Sequence, residues 1–388
     1  MPETTRPPFE QIVLLLQGGG ALGAYQAGVY EALAEAGLHP DWVAGISIGA
    51  INAALIAGNP PEARVGKLRT FWETVTASPW PTPPPFGAYL PLPGDFARGL
   101  FNQFSAGMAA AAGQPAFFRP RTPPPWLAPD GSAGATSYYD TSPLRATLER
   151  LVDFDRVNAS ETRLSIGAVN VRSGDFISFE PATHRIGPQH VMASGALPPA
   201  FPAIEIDGEL YWDGGLVSNT PLQWLLDLEP QHDTLAFQVD LWNARGQAPG
   251  NLAEVVTRQK EIQYSSRTRA STDRFRQTQA LRNAVRALVG KLPADLGDDP
   301  QLDLLRGYAS DKVYNIVHLI YRARRYEGGS KDFEFSRLSM EEHWKAGHDD
   351  TVASLRDPQV LQRPGPMQWV STFDVTPGGS GRKDAGSA

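Results

Sequence analysis

Short apolar runs alternate with helical patterns along residues 1–245 of the chain. The run IVLLL, residues 12–16, is uninterrupted and has the length of a strand that is covered on both faces. Similar strand patterns are DWVA, RLSIGAVNV with DFISFE, LYWD and DTLAFQVDLW, and helical patterns such as AYQAGVYEALAEAG lie between them. This order predicts a mainly parallel sheet between two layers of helices, a three-layer α/β/α fold with its chemistry at the carboxyl ends of the strands.

Residues 77–137 interrupt this pattern with a segment rich in Pro, Gly, Ala and aromatic residues. The prolines exclude a regular helix or a central strand over most of the segment. Its apolar, aromatic character is not that of a flexible linker, which would be polar and rich in charge. We therefore expect an inserted cap over the active site, and the alternative is a surface decoration that packs on the body.

Beyond residue 250 the chain becomes mainly helical. Residues 253–292 form a long amphipathic stretch, residues 312–324 include a strand pattern, and residues 339–357 indicate a helix capped by Ser339. These patterns predict a C-terminal extension over residues 250–358 and a disordered tail over residues 376–388. Several arginines of the first stretch could touch anionic lipid or a partner, although a helix face packed on the core is the simpler interpretation; they are Arg267, Arg269, Arg274, Arg276 and Arg282.

The charge and composition of the chain argue against several classes of partner and of catalytic group. The formal net charge of −7 argues against nucleic acid as the main partner, because a surface that follows phosphates needs a basic face. The absence of cysteine excludes disulfides, Cys-ligated zinc and a thiol nucleophile. The run at residues 12–16 is too short for the apolar region of a signal peptide, and no run is long enough to span a membrane. We expect a cytoplasmic protein, with a peripheral contact at the inner face of the membrane left open.

The sequence GISIG, residues 45–49, has the spacing of a nucleophile elbow. In an elbow the serine lies on a strained turn between a buried strand and a helix, and glycines two positions away avoid a clash. The strand pattern before Gly45 and the helical pattern AINAALIAG after Gly49 have this order. The motif therefore predicts that Ser47 is a nucleophile.

A glycine-rich loop, QGGGALG, directly follows the first predicted strand. Gly18, Gly19, Gly20 and Gly23 allow the backbone to turn tightly and to direct successive N–H groups at one point before a helix. The loop also satisfies the dinucleotide spacing G-x-G-x-x-G, but no acidic residue ends a second strand at the required distance, where Ser47 lies instead. An oxyanion hole accounts for both glycine-containing loops.

The order of these motifs resembles the patatin-like phospholipase family. The third motif of that family, Asp-Gly-Gly, is present as Asp213, Gly214 and Gly215, and the resemblance covers about residues 1–245. It implies a Ser–Asp dyad without histidine, on Ser47 and Asp213, that cleaves a lipid or acyl ester with no metal or organic cofactor. The family's oxyanion loop corresponds here to Gly18, Gly19, Gly20, Ala21 and Gly23.

The residues themselves agree with such a dyad. A carboxylate held against a serine hydroxyl can accept its proton if burial raises the pKa of the carboxyl group towards the working pH. The seven histidines, at positions 39, 184, 190, 232, 318, 343 and 348, lie outside glycine-flanked turns, which favours surface or capping roles for them. Many family members carry a basic residue in the glycine loop, where this chain has Leu22, and this departure weakens the expectation of a phosphate-bearing head group.

We therefore expect a serine acyl hydrolase of the lipase or phospholipase A type. Two alternatives stay open at this point. One is an esterase or depolymerase that acts on hydroxyacyl esters or lysolipids. The other is a catalytically silent lipid-binding scaffold that uses the C-terminal extension as a partner surface. That extension resembles one found in a bacterial patatin-like subgroup.

Overall fold

The structure is a computed structural model that describes residues 6–77, 94–132, 134–219, 222, 232–265, 268–292, 299–324, 326–365 and 368–374. Residues 78–93 and 133 of the predicted insert lie outside the described residues, as does the whole predicted tail, 376–388.

Nine strands form one sheet, and two short strands pair separately. The strands are β1 (Gln11–Leu16), β2 (Trp42–Ile46), β3 (Arg119–Pro120), β4 (Tyr139–Asp140), β5 (Arg163–Asn170), β6 (Phe176–Phe179), β7 (Ile204–Ile206), β8 (Glu209–Asp213), β9 (Thr234–Asp240), β10 (Tyr314–Ile320) and β11 (Val370–Asp374). The sheet has the order β11-β10-β9-β1-β2-β5-β8-β7, with β6 also beside β5. The strands from β11 to β5 in this order are parallel, whereas β6, β7 and β8 are antiparallel to their neighbours. The predicted mainly parallel sheet is confirmed.

The described helices surround this sheet. They are α1 (Ala24–Glu35), α2 (Ile48–Ala57), α3 (Pro61–Val75), α4 (Asp95–Ala112), α5 (Ser142–Leu151), α6 (Phe154–Ala159), α7 (Pro188–Ser194), α8 (Leu252–Tyr264), α9 (Thr268–Val289), α10 (Pro300–Tyr308) and α11 (Arg337–Leu355).

Alternate residues of β1 face two separate apolar clusters. Leu14 and Leu16 pack in a cluster with residues of α1 and α2, whereas Val13 and Leu15 pack in a second cluster with Phe275 of α9. All these side chains are fully buried. Because successive side chains of a strand point to opposite faces, helices cover β1 on both sides, and the three-layer arrangement is confirmed.

The C-terminal extension continues the same sheet. Its strand β10 pairs in parallel with β9, and β11, which follows the predicted extension in sequence, pairs with β10. Its helix α11 lies against α1 at two glycines: a Cβ at Gly28 would overlap the carbonyl of Trp344, and a Cβ at Gly347 would overlap the carbonyl of Tyr25. The extension is therefore joined to the rest of the fold by strand pairing and by close contact between helix backbones.

The predicted insert contains a long helix, which its proline content did not indicate. α4 has 18 residues and occupies the longest stretch of the insert without proline. Its buried Arg98 donates from Nη2 to Ser339 Oγ and to Glu342 Oε2, both at 3.0 Å. This helix is therefore attached to α11 of the extension.

Two features of the extension differ from the sequence prediction or refine it. The long helical stretch is divided into α8 and α9, and the α8 C-cap is Ser265. The capping residue of α11 is Ser336, whose side chain accepts from the N–H of Ser339, so the predicted cap at Ser339 is wrong. Ser339 lies inside the first turn, where the cap's hydroxyl finds the free N–H group.

Two arginines of α9 contact neighbouring elements of the C-terminal part of the chain. Arg276 donates to the hydroxyl of Thr372 in β11, and Arg282 is buried with its guanidinium over the ring of Tyr308 in α10. These two side chains are therefore packed within the protein, whereas Arg274 is exposed. The side chains of Arg267 and Arg269 lie outside the described residues.

Candidate active site

Ser47 lies at the tight turn between β2 and α2. Its backbone has φ 56° and ψ −124°, a conformation that is costly for a residue with a side chain. A Cβ on Gly45 would overlap the backbone of Gly49, and a Cβ on Gly49 would overlap the carbonyl of Leu16. The strand, strained turn and helix follow in the order that a nucleophile elbow requires.

Ser194, at the end of α7, supports this turn. Its Oγ accepts from the N–H of Ser47 at 2.9 Å and donates to the carbonyl of Gly167 at 2.6 Å. The side chain is fully buried. The hydroxyl therefore connects the strained residue to β5, a role that the sequence analysis missed because Ser194 lies 147 positions away along the chain.

Asp213 ends β8 and is brought to Ser47 by the sheet. Its carboxylate accepts from the N–H of Gly215 at 2.8 Å, and the Ser47 side chain lies beside it in the same cavity. Burial raises the pKa of Asp213 to about 6, although the neighbouring Ser47 hydroxyl and the Gly215 N–H act to lower it. The structure thus brings the two predicted dyad residues together and gives the carboxyl group the elevated pKa expected of a proton acceptor.

The glycine loop leaves two N–H groups without a partner. The N–H of Gly18 donates to Asn219 Oδ1 at 2.9 Å, and the N–H of Ala21 donates to the carbonyl of Asp332 at 2.8 Å. Within the described part of the chain, the N–H groups of Gly19 and Gly20 have no acceptor. These two are the donors that the loop offers to a ligand.

The other predicted loop residues have different surroundings. A Cβ on Gly18 would lie 2.9 Å from Cβ of Ser47, so this glycine allows the loop to approach the nucleophile. A Cβ on Gly23 would lie 2.5 Å from Cγ1 of Ile48, which places Gly23 in the packing of the loop against α2. Leu22 is fully buried.

Three side chains that the sequence analysis did not select hold the loop. Asn219 Nδ2 donates to the carbonyls of Gly18 at 3.2 Å and Tyr264 at 2.8 Å, and Trp242 Nε1 donates to the Gly18 carbonyl at 3.0 Å. Gln17 Nε2 donates to the Tyr264 carbonyl at 3.1 Å, and Gln17 Oε1 accepts from the N–H of Trp242 at 3.0 Å. The loop is therefore fixed by side chains from distant parts of the sequence as well as by its own turn.

A cavity of about 360 Å³ connects these groups. The dyad, the three consecutive glycines at 18–20 and Gly215 line it. Its remaining walls are mostly apolar and come from the insert, from the body and from the extension; the aromatic rings among them belong to Phe117, Phe118, Tyr139, Phe201, Trp242, Tyr264, Phe333 and Phe335. Ala21, Gly23, Gly45, Gly49 and Gly214 do not belong to its lining.

All seven histidines lie in the described part of the chain, and none of them lines the cavity. Three of them, His190, His318 and His343, are buried, so a surface position is wrong for these. His190 has the predicted capping role, because its Nδ1 accepts from the N–H of Gly187 at 2.9 Å at the start of α7.

The described residues contain no cluster of three or more histidine, aspartate or glutamate side chains that could bind a metal ion. None of their helices combines the length and the apolar character needed to cross a membrane.

Two solved structures have a low similarity to this chain. VipD from Legionella pneumophila is 16% identical, with a TM-score of 0.37, and the match covers 91% of this chain and 67% of VipD. ExoU from Pseudomonas aeruginosa, solved in complex with SpcU, is 19% identical with a TM-score of 0.29, and the match covers 67% of this chain and 50% of the other.

Comparisons with sequences are more specific. Lysophospholipase nte1 of Aspergillus terreus is 36% identical over 99 residues, which are 24% of this chain and 6% of that relative, so this chain spans only a small part of it. A family model described as DUF3734, patatin phospholipase, matches residues 262–367. The model described as patatin-like phospholipase matches residues 14–226, more than half of the chain. This protein therefore belongs to the patatin-like phospholipase family.

Proposed function

We propose that this protein is a serine acyl hydrolase that cleaves carboxylic ester bonds of lipids. One observation carries the proposal: the Ser47–Asp213 pair and the unpartnered N–H groups of Gly19 and Gly20 belong to one cavity whose walls are apolar. A nucleophile, a base and two donors for a developing oxyanion are what acyl transfer requires. The family membership supports the same reaction class.

In the proposed reaction, Ser47 Oγ attacks the ester carbonyl and Asp213 takes up the hydroxyl proton. The negative charge that develops on the carbonyl oxygen is stabilised by the N–H groups of Gly19 and Gly20. As the tetrahedral intermediate collapses, the alcohol leaves with the proton from Asp213 and an acyl-Ser47 ester remains. Water then attacks this ester, Asp213 again accepts and returns the proton, and the free acid and Ser47 are released.

The pKa of Asp213 suits this role. At about 6, the carboxyl group is ionised at neutral pH and is still a stronger base than an ordinary aspartate. No described histidine belongs to the cavity lining, which supports a dyad of two residues.

The cavity favours an acyl chain over a charged head group. Among the described residues, its lining includes the carboxylates Asp213 and Asp332 but no lysine or arginine, and the charge of Asp332 is paired with Lys260 outside the lining. A phosphate inside the cavity would therefore lie near the Asp213 carboxylate with no cation in that lining to pair with it. We infer that the cavity takes the acyl part of the substrate, which keeps simple esters and lysolipids as candidates beside membrane phospholipids.

The test is hydrolysis by the wild type and by Ser47→Ala over a panel of esters that differ in acyl length and head group. Hydrolysis that is lost in Ser47→Ala, together with labelling of Ser47 by a fluorophosphonate probe, would support the proposal. Preference for hydroxyacyl esters would instead favour the depolymerase alternative. A wild type that neither hydrolyses any ester nor takes up the probe would favour a silent lipid-binding scaffold.

A further inference from the structure

The C-terminal extension reaches the glycine loop directly. The carbonyl of Asp332 accepts from the N–H of Ala21 at 2.8 Å. The same carbonyl is packed against Gly20, where a Cβ would overlap it, and Gly20 has φ +56°. A residue of the extension therefore contacts the loop at the two positions that follow Gly19.

Asp332 is itself held by α8. Lys260 Nζ donates to Asp332 Oδ1 at 2.8 Å, to Oδ2 at 3.0 Å and to the carbonyl of Gly329 at 3.1 Å. The neighbouring residues form a second ion pair, in which α8 contributes the acid and the other segment the base: Lys331 Nζ lies 2.7 Å from Glu261 Oε1. Lys260 and Glu261 of α8 therefore form ion pairs with Asp332 and its neighbour Lys331, in the segment that contains this carbonyl.

The carbonyl of Asp332 also determines which loop donors remain available. With Ala21 bonded to Asp332 and Gly18 bonded to Asn219, the N–H groups of Gly19 and Gly20 are left for a ligand. If the Asp332 carbonyl moved away, Ala21 would lose its acceptor and Gly20 its packing contact. The loop would then be free to turn its N–H groups out of the cavity.

We propose that the Lys260–Asp332 ion pair is a positioning device for the oxyanion loop, so that the extension forms part of the active site. This inference rests on the proposed function, because it assigns the pair to the hydrolytic site. Lys260 and Asp332 act through the loop and do not take part in bond making. Loss of a single oxyanion donor lowers kcat by about 10²–10³-fold, so we expect a displaced loop to lower kcat by about tenfold to a hundredfold.

The experiment compares Lys260→Met, Lys260→Arg, Asp332→Asn and the double variant Lys260→Met/Asp332→Asn. The matched control is Lys312→Met, which removes the Lys312–Glu10 ion pair of 2.8 Å before the amino ends of β10 and β1, with similar exposure of the lysine. Two quantities are measured: kcat and KM for a soluble ester, and hydrogen–deuterium exchange of peptides that cover residues 17–23. Melting temperatures identify any variant that fails to fold, and Asp332→Asn, which removes the same ion pair with a side chain of the same size, then replaces Lys260→Met in the comparison with the control.

We expect Lys260→Met to lower kcat at least tenfold with little change in KM, and to accelerate exchange in the loop. Lys260→Arg should recover most of both, the double variant should be no worse than Lys260→Met, and Lys312→Met should match the wild type. Wild-type kcat in Lys260→Met, or a fall in kcat without faster exchange in the loop, would overturn the proposal.

Failure of the proposed function would look different. A wild type without ester hydrolysis would sink that function, while the exchange data would still decide whether the ion pair holds the loop. Faster loop exchange in Lys260→Met and in Asp332→Asn, but not in Lys312→Met, would support the role of the ion pair in positioning the loop. Unchanged exchange in both would refute that role.

Discussion

Asp213 lies beside Ser47 because β8 and β2 pair with consecutive residues of β5. Ile46, directly before Ser47, is opposite Gly167, and Asp213 is opposite Ala168. β2 runs parallel to β5 and β8 runs antiparallel to β5, and both strands end at the same level of β5. Ser47, which follows β2, therefore lies close to Asp213, the last residue of β8. The register of three strands, and not a flexible loop, therefore fixes the distance between nucleophile and base.

The raised pKa of Asp213 predicts an acid limb in the pH profile. The carboxyl group must be ionised to accept the Ser47 proton, and its pKa in the folded protein is about 6. We expect kcat/KM to rise with pH through about 6 and then to reach a plateau, since no histidine titrates in the cavity lining. Steady-state kinetics from pH 4.5 to 8.5 with a neutral ester would check this. A limb near 4, typical of an unperturbed carboxyl group, would contradict the assignment.

The same shift predicts that Asp213→Asn stabilises the protein while abolishing hydrolysis. The folded state holds the proton of Asp213 more tightly than the unfolded state, whose pKa is near 3.8, so the wild type loses stability as pH rises from about 4 to 6. Above pH 6 the full penalty, up to about 3 kcal/mol, applies, and an uncharged amide avoids it. Urea unfolding should show a larger gain for Asp213→Asn at pH 8 than at pH 5. A variant that is less stable than the wild type at pH 8 would refute the prediction.

Ser194→Ala should weaken both the fold and the reaction. It removes the acceptor for the N–H of Ser47 and the donor to the Gly167 carbonyl, so the strained turn loses its support. Leaving such buried groups unsatisfied costs about 1–3 kcal/mol. The matched control is Ser165→Ala, since Ser165 is equally buried and accepts from Trp42 Nε1 while donating to Glu180. Both variants should lower the free energy of unfolding, but only Ser194→Ala should also lower kcat. Equal kcat in the two variants would show that Ser194 has no role in the elbow.

Local signals in the sequence were enough to locate the proposed chemistry. The elbow, the glycine loop and the Asp-Gly-Gly motif contain glycines at positions where a Cβ would overlap the backbone of a neighbouring segment, and such requirements are visible in short stretches. The strands were equally visible, because β1 is an almost continuous apolar run and β5 and β9 are short, mainly apolar segments that are buried over most of their length.

The supporting residues could not be predicted in this way. Gln17, Asn219 and Lys260 are polar residues whose partners lie far along the chain, 247, 201 and 72 positions away for the bonds described above. Their roles depend on tertiary contacts that leave no periodic pattern. The helix α4 was missed for a different reason, since the composition of the whole insert concealed a stretch without proline.

Gly20→Ala should lower kcat more than a glycine substitution elsewhere with a similar backbone. The new Cβ would overlap the Asp332 carbonyl and would occupy a left-handed conformation, so the loop must shift. The control is Gly208→Ala, because Gly208 has φ +82° with no neighbouring atom near its Cβ position. Both variants carry the conformational penalty, and only Gly20→Ala carries the overlap. We expect kcat to fall by about 10²-fold in Gly20→Ala and to stay unchanged in Gly208→Ala. Full kcat in Gly20→Ala would exclude this loop as the oxyanion site.

Helix α4 of the insert contributes Ala109 and Ala110 to the cavity, and Phe117 and Phe118, which follow this helix, also line it. These two rings lie 5.9 Å and 5.3 Å from the ring of Phe201 between centroids, so the insert forms a wall of the cavity and is packed on the body. Ala109→Leu should fill part of the cavity and should sharply reduce hydrolysis of long-chain esters while sparing a short-chain ester. Ala106→Leu, one turn earlier on α4, is the control, because Ala106 is equally buried but does not line the cavity. Ala106→Leu should carry the same cost of overpacking, typically about 1–3 kcal/mol, without changing the ratio of long-chain to short-chain ester hydrolysis. Equal losses on short and long chains in Ala109→Leu would mean that the insert supports the fold and does not bind the acyl chain.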